Sequence, residues 1–408
     1  MITRVGLLSP LGCAFAVAIS ITNTAGAVTL SELYQSVSDH PQVVLARGQQ
    51  SIAESELELA DWGYYPSLSV DALSAASDGA EMAIAVEQPV FNLGGIDAQV
   101  SVAEAGLDVS KLGVDESELS VKNEILLAYF ALLNSQKRLE IALRNEKTLE
   151  ELLATMKRRV EQEISSKAEE ILVSARLEQA RSEIKQLEGA ILIASSRIES
   201  AALTKVERVD VPECSLPAGE SESAIVDEVL DKSPLLLRLS GESKKASAEA
   251  VLADSDRLPQ ITIGAKYSQN ESLPGGSDSK VYLGFSYRLQ NGFSINSTVA
   301  AAEARVTSAR YAEALARLEL QRDVVALIRE YNAAAGQIVP LKRLVEANNE
   351  LMGSYYRQYS AGRKTWLDVV NAQRELIQAE FQLSDTYVAH CRAAASLELL
   401  TDRSFLSY

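Results

Sequence analysis

The chain has 408 residues, 47% of them hydrophobic but only 6% aromatic, with 10 Pro, 21 Gly and a formal net charge of −17. A compact multidomain protein of this length carries more aromatic residues in its cores, whereas long Pro-free stretches rich in Ala, Leu, Glu, Ser, Gln, Lys and Arg predict long helices packed through narrow seams. The excess of 56 Asp+Glu over 39 Lys+Arg, with no basic block, argues against a nucleic-acid partner, because phosphate binding needs clustered cations. His40 and His390 are the only histidines, and Cys13, Cys214 and Cys391 stand singly. Near neighbours therefore assemble no metal site, thiol dyad or cofactor motif, and no enzymatic activity is expected.

Residues 1–27 read as a secretory signal: Arg4, an apolar run over 5–21, and Ala25-Gly26-Ala27 before a cut at Val28. Pro10-Leu11-Gly12-Cys13 falls too early in that run to favour lipidation. Beyond residue 28 no window approaches the ~18 consecutive apolar residues of a membrane-spanning helix, so a membrane span must be made of strands. Export permits a Cys214–Cys391 disulfide, but two cysteines in unrelated contexts more often form a free or buried pair, and that is the expectation here.

Two halves repeat, over 28–210 and 224–403, with a linker over 211–223. His40-Pro41 and Pro66 recur as Ser233-Pro234 and Pro259, each proline at an offset of 193, and Ala103-Glu104-Ala105 recurs as Ala302-Glu303-Ala304 at an offset of 199. Pro274-Gly275-Gly276 marks the longer turn that absorbs the difference. Each half predicts a helix (31–63 in the first), a β-hairpin (about 67–90, then about 260–290), a long helix (96–164 in the first) and a returning helix (169–203). Leu68, Val70 and Ala72, then Met82, Ile84 and Val86, alternate with polar or small residues. Ile261, Ile263, Ala265 and Tyr267, then Val281, Leu283 and Phe285, repeat the pattern. Period-2 alternation of this length suits barrel strands with lipid on one face and water on the other, or soluble hairpins over a core.

The returning helix carries heptad spacing at Leu177, Ile184, Ile191 and Ile198, with Ala180, Leu187, Ala194 and Ala201 behind them. Its second copy carries Leu376, Leu383, His390 and Leu397, which makes His390 a seam residue. Pro340, after Gly336, is expected to kink the second long helix. A 69-residue helix would span roughly 100 Å and its return about half that, which fits the wall of a tube better than a globule. Four strands are too few to close even a small barrel of about eight, so the barrel must be shared between subunits.

These residues resemble the TolC-like outer-membrane efflux proteins. The resemblance covers nearly the whole chain after the signal. It rests on the two helix starts, on Pro66 and Pro259 opening the hairpins, on Gln88-Pro89-Val90-Phe91 with Gly94-Gly95, and most specifically on Tyr359-Ser360-Ala361-Gly362 through Asp368-Val369-Val370-Asn371-Ala372-Gln373. It implies a mainly α fold with a small membrane β part: a homotrimer whose long coiled-coil helices form a periplasmic α-barrel, and whose four strands per chain complete a twelve-stranded barrel in outer-membrane lipid. The implied function is the exit channel of a tripartite efflux or type I secretion system, working with a periplasmic adaptor and an inner-membrane pump of ABC or RND type.

By the same resemblance the tip turn lies at 360–365, with Gly362 and Trp366 in or beside it. Asp368 takes the first aspartate-ring position at the constriction. Asn371 replaces the second aspartate, leaving one ring where the archetype has two. Tyr359 and Lys364 match the tip latch, with Lys in place of Arg. Glu169, at the 199 offset from Asp368, is the candidate latch partner, although its local sequence departs from the archetype. Asp368 also fits a helix-start carboxylate, and the two roles are compatible. Trp366 could plug the tip, touch an adaptor or pack in a seam. Trp62, Tyr64 and Tyr65 look like a membrane-interface girdle, with ordinary core aromatics as the competing view. The competing functions are a periplasmic adaptor, which should show one hairpin rather than two copies, and a structural periplasmic coiled coil.

Overall fold

The computed structural model describes residues 27–75, 79–92, 94–214, 221–270, 277–287, 294–401 and 406–407. The signal segment with Cys13, and the hairpin turn at 274–276, lie outside them. A short helix α1 (Leu30–Tyr34) leads into α2 (Pro41–Asp61), strands β1 (Ser67–Ala75) and β2 (Gly79–Phe91), the long α3 (Gly95–Glu161) and the returning α4 (Lys167–Ala202). After β3 (Glu213–Cys214) and α5 (Glu222–Lys232), the series repeats as α6 (Pro234–Ser255), β4 (Gln260–Asn270), β5 (Ser277–Ser286), α7 (Ser294–Ser360) and α8 (Trp366–Thr401), ending in β6 (Leu406–Ser407). α3 and α7 each have 67 residues, α4 and α8 each 36.

The repeated X-Pro starts have a local cause. His40 Nδ1 accepts from Gln42 N at 3.3 Å and Ser233 Oγ from Leu236 N at 3.4 Å. Each cap is followed by Pro at the first helical position, where no N–H is required. α7 continues through Pro340 to Ser360. In their upper halves the long helices pack on α2 and α6, and in their lower halves on α4 and α8. Core positions follow the heptads: Leu177, Ile184, Ile198 and Ala194 are buried in α4, and Leu376, Ala379, Ala393 and Leu397 in α8.

The four long strands form one antiparallel sheet in the order β1-β2-β4-β5. Direct pairing aligns Leu68, Val86, Ala265 and Val281 in one row and Val70, Ile84 and Tyr267 in the next. Val281 and Leu283 are 78% and 73% exposed, so this apolar face has no partner within the chain. The opposite face is small and polar. A Cβ on Gly264 would meet the Tyr282 ring at 2.5 Å, and the Tyr282 hydroxyl donates to Glu87. A register shift between Pro89 and Phe91 places the ladder irregularity where Pro lacks an N–H.

One expectation is corrected. Cys214 and Cys391 are joined in a disulfide across a sequence separation of 177 residues. The segment after α4 crosses the middle of the helix wall as a strap, held by its carbonyls: Tyr129 donates to Asp210 O at 2.7 Å and Tyr387 to Pro212 O at 2.9 Å. The His390 ring lies 3.3 Å from Cys214 O and stacks on Tyr331. That path sets Cys214 against Cys391, an approach that linear spacing does not encode.

Candidate functional site

The two tip turns, at the far end of the long helices from the sheet, are the same structure built twice. In the first, Glu163 N bonds Val160 O and Ile164 N bonds Arg159 O; in the second, Gly362 N bonds Tyr359 O and Arg363 N bonds Gln358 O. These are paired helix-terminating bonds around a left-handed residue, with φ of 59° at Glu163 and 72° at Gly362. Each returning helix opens on a reciprocal cap. Ser166 N donates to Glu169 Oε2 at 3.1 Å while Glu169 N donates to Ser166 Oγ at 3.3 Å. Thr365 N donates to Asp368 Oδ2 at 3.0 Å while Asp368 N donates to Thr365 Oγ1 at 3.3 Å.

Asp368 is thus a helix-start carboxylate. The Thr365 hydroxyl also donates to it, at 2.7 Å, and Lys364 Nζ stands 3.9 Å away on its other oxygen. The hydroxyl and backbone donors of Thr365, then the Lys364 charge, hold its carboxyl below the ordinary value of 3.8. Lys364 also lies over the Tyr355 ring at 4.4 Å. Asn371 is half-buried, one turn further along α8.

Tyr359, Lys364, Gly362, Trp366 and Asp368 therefore gather around one turn. Glu169 sits at the other turn, its carboxylate on its own cap. What joins the turns is Tyr359: its hydroxyl meets Ser165 Oγ at 3.3 Å, Arg159 lies 4.7 Å over its ring, and its ring centroid is 5.0 Å from that of Trp366. Trp366 is 1% exposed and packs with Leu149, Leu152, Met156, Val173 and Val369, so it occupies the seam between the hairpins. Arg159 and Ser165 are absent from the sequence reading. Their only signal is their place in the turn that matches the second tip at the 199 offset.

At the base of the sheet Trp62, Tyr64 and Tyr65 are all exposed, with Trp62 and Tyr65 rings 5.1 Å apart. The Tyr64 hydroxyl donates to Asp97 at the start of α3, and Gln88 Nε2 donates to Tyr64 O at 3.0 Å. The group is fixed to both the strand and the helix it joins. Among the described residues no cluster of side chains has metal-ligand geometry, and no helix is long and apolar enough to cross a membrane.

The pattern of outer membrane efflux proteins matches residues 33–202 and 225–401, most of both halves. The chain belongs to the outer membrane efflux protein family. Its fold is that of solved outer-membrane channels. OprN superposes with a TM-score of 0.82 at 16% identity, over 92% of this chain and 90% of that one. CusC superposes with 0.80 at 15% identity, over 91% of each. The open-state channel MtrE of Neisseria gonorrhoeae gives 0.74 at 16% identity, over 91% of this chain and 88% of that one. No curated protein matches the chain in sequence. The efflux-family protein is accordingly an outer-membrane channel protein, with four strands in the membrane part and a large periplasmic helical part, and its family is one of channels rather than enzymes.

Proposed function

We propose that this protein is the homotrimeric exit duct of a tripartite efflux or type I secretion system, passing solute from the periplasm and an inner-membrane transporter to the exterior without chemistry of its own. The observation that carries this reading is the sheet. β1 and β5 are edge strands with unpaired backbone groups, and the sheet's exposed face is apolar, so neither is satisfied in one chain. Three copies closing edge to edge give twelve strands and bury no charge in lipid. The helical wall offers the same kind of open edge: Leu45, Ile52 and Leu59 on α2 and Tyr311, Leu315 and Leu318 on α7 are more than half exposed. A periplasmic adaptor would engage the lower hairpins, and the pump, of ABC or RND type, would supply the energy.

In this reading the tip is the gate. Asp368 is its constriction carboxylate and Asn371 the neutral position beside it. Tyr359, with Arg159 and Ser165, ties the two hairpins of one chain, and Lys364 stays close to Asp368 rather than reaching Glu169. Because Thr365 and Lys364 already engage the Asp368 carboxylate, block by divalent cations should be weaker than two free aspartate rings would give. Trp62, Tyr64 and Tyr65 form the girdle at the periplasmic membrane interface.

Planar-bilayer conductance of the purified protein, with chemical cross-linking to count subunits, tests the duct. Discrete channels from a cross-linkable trimer are expected, with Asp368→Ala abolishing divalent-cation block. Absence of any pore would overturn the channel, and unchanged block would remove Asp368 from the gate.

A further inference from the structure

The inner face of the sheet is built in charged tiers. Direct cross-strand pairing places Ser69, Ala85, Lys266 and Lys280 in one row. The row toward the hairpin turns holds Asp71, Ala83, Ser268 and Asp278, and the row toward the helices holds Ser67, Glu87, Gly264 and Tyr282. Neighbouring rows on one face are about 6–7 Å apart along a strand. All three lie opposite the apolar face carrying Leu68, Val86, Val281 and Leu283, and therefore face the lumen of a closed barrel.

The lysine row is the unusual one. Like charges directly opposite one another destabilise a sheet, yet Lys266 and Lys280 are direct partners. Among the described residues neither ammonium sits in an ion pair. Their row is completed by Ser69 and Ala85, too short to cover them. The nearest acid toward the helices, Glu87, accepts the Tyr282 hydroxyl. Lumen-facing positions tune what a barrel passes, and a ring of one sign raises the local concentration of the opposite ion.

We propose that Lys266 and Lys280 form an electropositive belt inside the barrel that holds the anionic groups of solutes in transit, in a chain whose net charge is −17. The inference rests on the trimeric duct, in which two lysines per chain become a ring of six. The belt is bounded on the hairpin side by the Asp71 and Asp278 tier, whose negative charge opposes the lysines and limits how tightly the belt holds an anion. It would favour solutes with clustered carboxylate, sulfate or phosphate groups over neutral ones of equal size.

The test uses the full-length protein in planar bilayers at low ionic strength, about 50 mM KCl, where charges on the wall are not screened out, with inorganic tripolyphosphate as the probe. Tripolyphosphate should block the native channel. In K266Q/K280Q the concentration for half block should rise about tenfold, K266R/K280R should restore block, and D71N/D278N should strengthen it. Unchanged block in a K266Q/K280Q channel of native conductance would overturn the belt. If K266Q/K280Q fails to insert, D71N/D278N carries the test, and block no stronger than native overturns it. A native chain that forms no pore would instead overturn the duct itself.

Discussion

The tip turns at 161–167 and 360–366 share a backbone and differ in what they do with it. Each uses the same terminating bonds, a left-handed residue at the same position and the same reciprocal cap, at a constant offset of 199. The first places Lys167 where the second places Trp366. Lys167 is exposed and pairs with Glu170, whereas Trp366 is sealed between the hairpins. The first has Val160 where the second has Tyr359. The turn itself is generic helix-end chemistry, and two aromatic substitutions in one copy convert it into a joint between hairpins. The same asymmetry recurs higher up, where Cys391 is buried under the strap and its counterpart Leu192 is 72% exposed.

Breaking the joint should have the largest effect. Trp366→Ala removes a fully buried indole and should cost about 3–5 kcal/mol of tip stability, read as faster hydrogen exchange at 152–177 and 359–370, while Lys167→Ala should stay within about 0.5 kcal/mol. Trp366→Phe should cost far less than Ala, since the indole N–H is buried without an acceptor. The strap comes next. Cys214→Ser with Cys391→Ser should lower stability by about 2–5 kcal/mol, seen as a lower melting temperature that reducing agent no longer changes.

The left-handed residues then test whether the two turns are equivalent. Gly362→Ala should destabilise by about 1 kcal/mol, and Glu163→Gly should stabilise by a similar amount, in thermal melts of the purified protein. The smallest effect concerns pH. The carboxyl of Asp368 is held below 3.8, first by the Thr365 hydroxyl, so its charged cap is complete above that value and is lost as pH falls through the lower folded value. Cation block should therefore be flat from pH 5 to 8 and fade only in stronger acid. A midpoint of fading at or above pH 3.8 would show that the Thr365 contacts do not hold at the tip.

Much of this architecture is readable before any coordinates. Matched prolines, heptads and alternating strands report local periodicity, and local periodicity is what places α3, α4, α7, α8 and the two hairpins. The 199 offset even aligns Glu169 with Asp368, although only geometry reveals that both serve the same capping role. The sequence permits the Cys214–Cys391 bond without deciding it, because it depends on where a strap of irregular backbone crosses a helix wall. The sequence places Trp366 beside the turn, but its burial follows from how α3 and α4 approach α8, a relation between halves that no single helix encodes. Arg159 and Ser165 escape a sequence reading for the same reason: their partner, Tyr359, is supplied by the other repeat.

The strap also orders the making of the protein. Cys214 precedes Cys391 by 177 residues, so the native bond cannot close until Cys391 has followed it and α8 has docked. A correctly formed bond therefore certifies that both repeats have arrived and that the last helix lies in its groove. Any oxidant that caps Cys214 before then would leave a chain whose helices can form but whose halves are not fastened together.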